Sequence, residues 1–306
     1  MVLCADIGGS FIKCAAADEA GALSNVQSVP TPANDWGGFV AALAGLTGAA
    51  RPGVEMTTPL AIAIAGLVDP DTGVITSANI PCLNGRALGP ELEQRLGRPV
   101  LVVNDADAFA LAEAGMGAGR GHRVVFGVIL GTGVGGGLVV EGRLVRGAFG
   151  ITGEWGHGPI AKTKLDTDGL TIPRFACGCG QYGCVDSFGG ARGLERLHNF
   201  LSGRKQDSHA IIEDWQAGDP DAYRTMRAYI EMLSEPLALA INVCGASIVP
   251  VGGGLGSVPA LIEALDEALG KLLNLRPKRA VVVPAQRVKD AGLVGAAVLG
   301  SQGRPA

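Results

Sequence analysis

Residues 124–140 read Val-Val-Phe-Gly-Val-Ile-Leu-Gly-Thr-Gly-Val-Gly-Gly-Gly-Leu-Val-Val. From Gly131 to Gly136 they match Gly-x-Gly-x-x-Gly, the pattern that closes a strand and opens a helix in dinucleotide-binding folds. Here the residues that follow, Leu138 to Val145, read as strand, turn and strand. The glycines therefore sit in a hairpin, and the nicotinamide reading fails on context. A second glycine-turn hairpin of like design spans Val2–Asp18, with Gly8-Gly9-Ser10 at its turn. Two such hairpins predict two related lobes.

Outward from the hairpins, Leu60–Ala65 and Pro99–Val103 read as short apolar strands, and Asp35–Ala50 reads as a helix. Asn104-Asp105 precedes an apolar run, so it caps a helix over Ala106–Met116. The C-terminal half predicts helices at Arg192–Leu201, Ala222–Val243 and Pro259–Leu273. A strand at Ala280–Val283 follows, then a helix at Ala291–Gly300 with Asp290 as its cap. Pro236 to Ile262 carries no charge, a length that suggests a membrane span. Asn242, Gly245, Ser247, Pro250 and Gly252–Gly254 interrupt it, and it reads instead as a buried helix (Pro236–Cys244), a buried strand (Ser247–Val251) and a glycine loop. Strands mixed with long helices indicate an α/β protein.

The 306 residues suffice for two domains, and 47% apolar against 18% charged residues supplies large cores. A net charge of −4 without a basic run argues against nucleic acid or an anionic membrane as partner. The first residues reach Asp6 with no cationic region, which does not describe a signal peptide. A cytoplasmic protein is expected, and in a reducing compartment clustered cysteines favour metal over disulfide.

Three of the seven cysteines fall in Cys177-Gly-Cys179-Gly-Gln-Tyr-Gly-Cys184. Glycines let the backbone aim several thiolates at one point. A structural zinc takes four N or S ligands, and His157 in Gly-Glu-Trp-Gly-His-Gly is the candidate fourth. His122, His198 and His209 lack such company and read as surface residues. The Gly8-Gly9-Ser10 turn presents backbone N–H groups and a hydroxyl to a phosphate, or is an ordinary hairpin turn. Lys13 adds a point charge, and Asp6 at the strand end suits a magnesium ion. Gly252-Gly253-Gly254 follows a buried strand and suits close approach of a base or ribose, or tight strand–helix packing. No Gly-x-x-x-x-Gly-Lys-[Ser/Thr] occurs, so a P-loop is excluded.

Asp6-x-Gly-Gly-Ser10, Asn104-Asp105, Gly131-Thr132-Gly133 and Gly252-Gly253-Gly254, in that order, resemble the sugar kinases of the actin/hexokinase superfamily. Glu154-x-Gly156-His157 and the cysteine run narrow the resemblance to the ROK family (repressors, open reading frames, kinases) over nearly the whole chain, with the bacterial N-acetyl-D-glucosamine kinases most alike. The resemblance implies a two-lobed actin-like ATPase/hexokinase fold with an interlobe cleft. The expected division is residues 1–106 plus 288–306 as a small lobe and 107–287 as a large one. It implies an ATP- and magnesium-dependent kinase acting on the 6-hydroxyl of a hexose, N-acetyl-D-glucosamine first, with glucose, fructose or N-acetylmannosamine as alternatives. Asp105 matches the catalytic base and Asp107 does not. Asn104, Glu154 and His157 match sugar ligands, with Gly66 and Asn79 in a sugar-contacting loop and Gly131, Thr132 and Gly133 at the phosphates. The family's sugar-binding glutamate is here Asp186, one methylene shorter. The zinc is implied to be structural, the partners to be sugar and ATP, and the assembly to be a homodimer. A ROK repressor needs a helix-turn-helix ahead of the body, and none is expected before a phosphate loop at Asp6.

Overall fold

The computed structural model describes residues 1–18, 20–48, 55, 57–274 and 277–303. In chain order the strands and helices begin with β1 (Val2–Ile7), β2 (Phe11–Ala17), β3 (Leu23–Pro30) and α1 (Trp36–Thr47). Then come β4 (Leu60–Ile64), β5 (Leu67–Val68), β6 (Ile75–Thr76), α2 (Leu88–Leu96), β7 (Val100–Asn104) and α3 (Asp105–Met116). The middle holds β8 (Val124–Leu130), β9 (Val134–Val140), β10 (Arg143–Leu144), α4 (Asp186–Gly189), α5 (Ala191–Ser202) and α6 (Ser208–Gln216). The chain closes with α7 (Pro220–Cys244), β11 (Val249–Gly252), α8 (Gly253–Gly256), α9 (Pro259–Leu269), β12 (Val282–Pro284) and α10 (Ala291–Gln302). Two compact units result: Met1–Gly121 with Gly137–Thr152 and Arg287–Ala306, and His122–Gly136 with Gly153–Gln286.

The first unit is built on a sheet of order β3-β2-β1-β4-β7. β1, β4 and β7 run parallel. Every residue of β4 is buried, as is every residue of β1 except Asp6, the continuous apolar run of a strand covered on both faces. Ile7, Ile64 and Asn104 are in register, so Asp6, Gly66 and Asn104 lie at one carboxyl edge of the sheet, where α/β folds bind ligands. α10 packs on α3, β1 and β4. The approach of α10 to α3 is so close that a Cβ at Gly295 would strike the Ala108 carbonyl. This packing holds α3 in the first unit. The expected small-lobe boundary after Ala106 therefore moves past the end of α3, and Gly137–Thr152 joins the same unit.

The second sheet has the order β10-β9-β8-β11-β12. β11 lies parallel to β8 and β12, with Gly252 opposite Ile129. The glycine loops after β8 and β11 consequently leave the sheet side by side. Gly253, at φ 84°, lies against Leu130 and Gly131, where no side chain fits. α7 is one helix of 25 residues, as expected over Ala222–Val243; the segment Pro236–Cys244 is its C-terminal part and not a separate helix. Lys162 anchors the segment before the cysteines to α7: its Nζ lies 2.6 Å from Asp166 and Glu235 and 3.0 Å from Glu231. Lys162→Met leaves those carboxylates without their shared cation, and the expected cost is about 2 kcal/mol, read as a lower melting temperature.

Several expectations shift. β3, α2 and α6 were not foreseen; α9 ends at Leu269, four residues early, and β12 starts two residues late. The predicted helix from Asp35 ends at Thr47, and its last residues, Ala49-Ala50, lie outside the described residues, as do 304–306 of the predicted small lobe. Asp290 stands at the head of α10 at φ 57° but its side chain makes no cap; it faces Lys13 instead, at 3.4 Å. His198 is fully buried, not superficial: Nδ1 meets Thr225 Oγ1 at 2.8 Å and Nε2 meets Gln206 Oε1 at 2.7 Å. His122 is half-buried against Ser247, and His209 is exposed. Among the described residues no helix is long and apolar enough to cross a membrane.

Candidate active site and cysteine cluster

In the first unit Asn104 organises the edge where β7 gives way to α3. Its Oδ1 accepts from the N–H of Ala106 at 2.7 Å, and its Nδ2 donates to the Gly66 carbonyl at 2.9 Å. One side chain thus caps a helix and ties it to the turn after β4. That turn needs glycine, since Gly66 has φ 155° and the Thr76 carbonyl and Ser77 crowd its Cβ position. Asp105 follows, exposed, with Oδ1 accepting from the Ala106 N–H at 2.9 Å. Asp107 lines a cavity of about 390 Å³ with Asp69, Glu93, Asn104 and Arg146, and Asp105 is not part of that wall.

Asp6 sits at the same edge. Burial raises its pKa; Lys13 opposes the shift, while Asp105 and Asp290 add to it. A buried carboxylate with acidic neighbours gains from a bound cation. In the β1–β2 turn the Gly8 N–H is already donated to the Phe11 carbonyl at 3.0 Å, and Thr31 Oγ1 donates to the Gly8 carbonyl at 2.7 Å. Asn79 packs against Gly9, where a Cβ would collide with it.

In the second unit His157, Cys177, Cys179 and Cys184 converge, their ligand atoms all within 4.8 Å of one another. Cys179 Sγ lies 3.6 Å from Cys184 Sγ, and Cys177 Sγ lies 3.6 Å from His157 Nδ1. A tetrahedron with Zn–S near 2.3 Å has edges of about 3.8 Å, so these separations fit one zinc ion; a disulfide at about 2.05 Å does not fit. Burial pushes the Cys177 thiol up to about 12 and raises Cys184, whereas backbone donation from Gln181 lowers Cys179. A divalent cation reverses the cost of ionising such thiols. His157 turns Nε2 the other way, 3.6 Å from Glu154 Oε2. Burial raises the pKa of Glu154; His157 lowers it and Asp186 raises it further.

Asp186 opens α4. Its Oδ1 accepts from the Val134 N–H at 2.8 Å and its Oδ2 lies 3.5 Å from Cys177 Sγ. The Ala191 N–H donates to the Gly131 carbonyl at 2.8 Å. Sequence reading missed α6, whose Ser208, His209, Ile212, Glu213 and Gln216 line a cavity of about 530 Å³ with Gly131, Thr132, Gly254 and Leu255. The signal was present: Asp207 caps the helix through the Ala210 N–H, and Ile211 and Ile212 form its buried stripe.

Residues 2–302 match the ROK family. The chain belongs to the ROK family. An N-acetylgalactosamine kinase of Shewanella sp. (strain ANA-3) is 36% identical, over 96% of this chain and 95% of that one. An N-acetyl-D-glucosamine kinase of Pectobacterium atrosepticum is 34% identical, over 96% and 97%. Among solved structures, a ROK hexokinase from Thermus thermophilus superposes with a TM-score of 0.81 at 33% identity, over 97% and 96%. A ROK glucokinase from Streptomyces griseus, solved with glucose and AMPPNP, superposes with a TM-score of 0.73 at 31% identity, over 99% of both chains. This ROK protein is a sugar kinase, a phosphotransferase with an alcohol acceptor, and has the actin-like sugar kinase fold.

Proposed function

We propose that this kinase transfers the γ-phosphoryl group of ATP to the 6-hydroxyl of an N-acetylhexosamine, with N-acetyl-D-glucosamine as its substrate. The observation that carries the reading is Asn104: it caps α3 and binds the Gly66 carbonyl, which presents the Asp105 carboxylate at the carboxyl edge of the sheet near Asp6. Phosphoryl transfer is mainly positioning and charge stabilisation. Asp105 accepts the proton of the sugar hydroxyl as its oxygen bonds to the γ-phosphorus; the bond from that phosphorus to the β–γ bridging oxygen breaks, and ADP leaves. Glu154 and His157 bind sugar hydroxyls. His157 is oriented for this because Nδ1 belongs to the cysteine cluster while Nε2 faces Glu154. Asn104, Gly66 and Asn79 complete the sugar contacts.

Gly131, Thr132 and Gly133, with Gly8, Gly9, Ser10 and Lys13, hold phosphates, and Gly252, Gly253 and Gly254 face the nucleoside. The cavity beside α6 takes the base. Asp6 holds magnesium, which supplies neutralising charge to the phosphates. Zinc on His157, Cys177, Cys179 and Cys184 supplies rigidity; with four protein ligands it has no open position for chemistry. The kinase works as a homodimer.

Initial rates on N-acetylglucosamine, N-acetylgalactosamine, N-acetylmannosamine, glucose and fructose test the substrate. N-acetylglucosamine is expected to give the highest kcat/KM. The Shewanella relative favours N-acetylgalactosamine as the second reading. Turnover of glucose with none of any N-acetylhexosamine would sink both.

A further inference from the structure

We propose that Asp186 is a positioning residue for the nucleotide loop, linking the turn Gly133-Val134 to the cysteine cluster, rather than a sugar ligand. Its Oδ1 accepts the Val134 N–H at 2.8 Å, immediately after Gly131-Thr132-Gly133. Its Oδ2 lies 3.5 Å from Cys177 Sγ. Its own N–H donates to the Gly156 carbonyl at 2.9 Å, beside His157. The residue therefore touches three things at once: the glycine loop, the segment of the histidine ligand and a cysteine of the cluster.

The fit around the carboxylate is tight. A Cβ at Gly133 would collide with Asp186 Oδ1, and one at Gly190 would collide with Thr132 and Gly133. The loop is closed from both ends of α4, by Asp186 at its start and by the Ala191 N–H on the Gly131 carbonyl just beyond it. The shorter side chain matters here. A carboxylate one methylene nearer the backbone bonds the adjacent loop at a normal hydrogen-bond length. Asp186 thereby holds the Gly133-Val134 turn through its side chain and the Gly156 segment through its own N–H.

The inference rests on the proposal that Gly131–Gly133 binds nucleotide, but not on which sugar is phosphorylated. The test is calorimetric binding of a non-hydrolysable ATP analogue with magnesium and without sugar, alongside zinc per chain by elemental analysis and KM for sugar. Asp186→Ala is expected to weaken the analogue about tenfold at unchanged zinc content, with sugar KM changed less than about twofold. Asp186→Asn keeps an oxygen acceptor for the Val134 N–H and is expected to recover most of the analogue affinity lost in Asp186→Ala. Where the alanine variant is too unstable to assay, Asp186→Asn against Asp186→Leu at matched zinc content makes the same comparison. A rise in sugar KM with analogue binding unchanged would overturn the proposal and restore the sugar-ligand role. Absence of analogue binding by the unaltered enzyme would instead refute the nucleotide site itself.

Discussion

Asp105→Asn is expected to lower kcat by about 10²–10⁴-fold while changing sugar KM by no more than about twofold. An amide has the size and shape of the carboxylate but does not accept a proton at neutral pH. Its carbonyl oxygen still accepts the Ala106 N–H, and Asn104 still caps α3 and holds the Gly66 carbonyl, so the local fold is retained. The loss is then confined to the step in which the sugar hydroxyl gives up its proton. Asp107→Asn is the contrast, since Asp107 lines a cavity wall to which Asp105 does not belong, and it is expected to cost far less. Steady-state kinetics with ATP saturating decides the matter. An Asp105→Asn enzyme with wild-type kcat would remove Asp105 from the role of base.

Cys179→Ser is expected to weaken zinc binding by more than about 100-fold and to lower the melting temperature by several degrees. Metal binding at a site of this kind is folding free energy, because the ligands have no common geometry in the unfolded chain. A serine hydroxyl is a poor zinc ligand, and Cys179 is exposed, so the substitution leaves no cavity in a core to confuse the result. Chelator treatment of the unaltered enzyme should reproduce the same drop in melting temperature. Cys82→Ser is the control: Cys82 lies outside the cluster, with Sγ 3.6 Å from the Pro32 carbonyl, and should retain full zinc. Full zinc content in Cys179→Ser would exclude Cys179 from the ligand set. Because His157 faces Glu154 through Nε2, zinc loss is also expected to raise sugar KM.

The parts legible in the sequence were those with local physical signatures. Gly-Gly turns between apolar strands announced β1–β2 and β8–β9, and Asn104 announced the start of α3 because its cap is made two residues away. The cysteine spacing announced the cluster of three sulfurs, since glycines within one short loop bring them together. What was not legible depends on packing partners. α6 is a nine-residue helix whose cavity wall exists only because the loops after β8 and β11 emerge beside it. His198 looked like a surface histidine until Thr225 of α7 and Gln206 met its two ring nitrogens and buried it. Asp290 looked like a helix cap, but its left-handed backbone turns the carboxylate to Lys13 instead.

The sequence by itself determined the α/β class and grouped Cys177, Cys179 and Cys184 by their short spacing, with His157 as the candidate fourth ligand; its resemblance to the ROK family supplied the sugar kinase family and the candidate base Asp105. The tertiary structure decided where the units divide, since that depends on α10 packing on α3 across nearly the whole length of the chain. It also decided where Asp186 directs its carboxylate. Val134 lies 52 residues away in the sequence, and no local pattern records a hydrogen bond formed only when distant segments fold together.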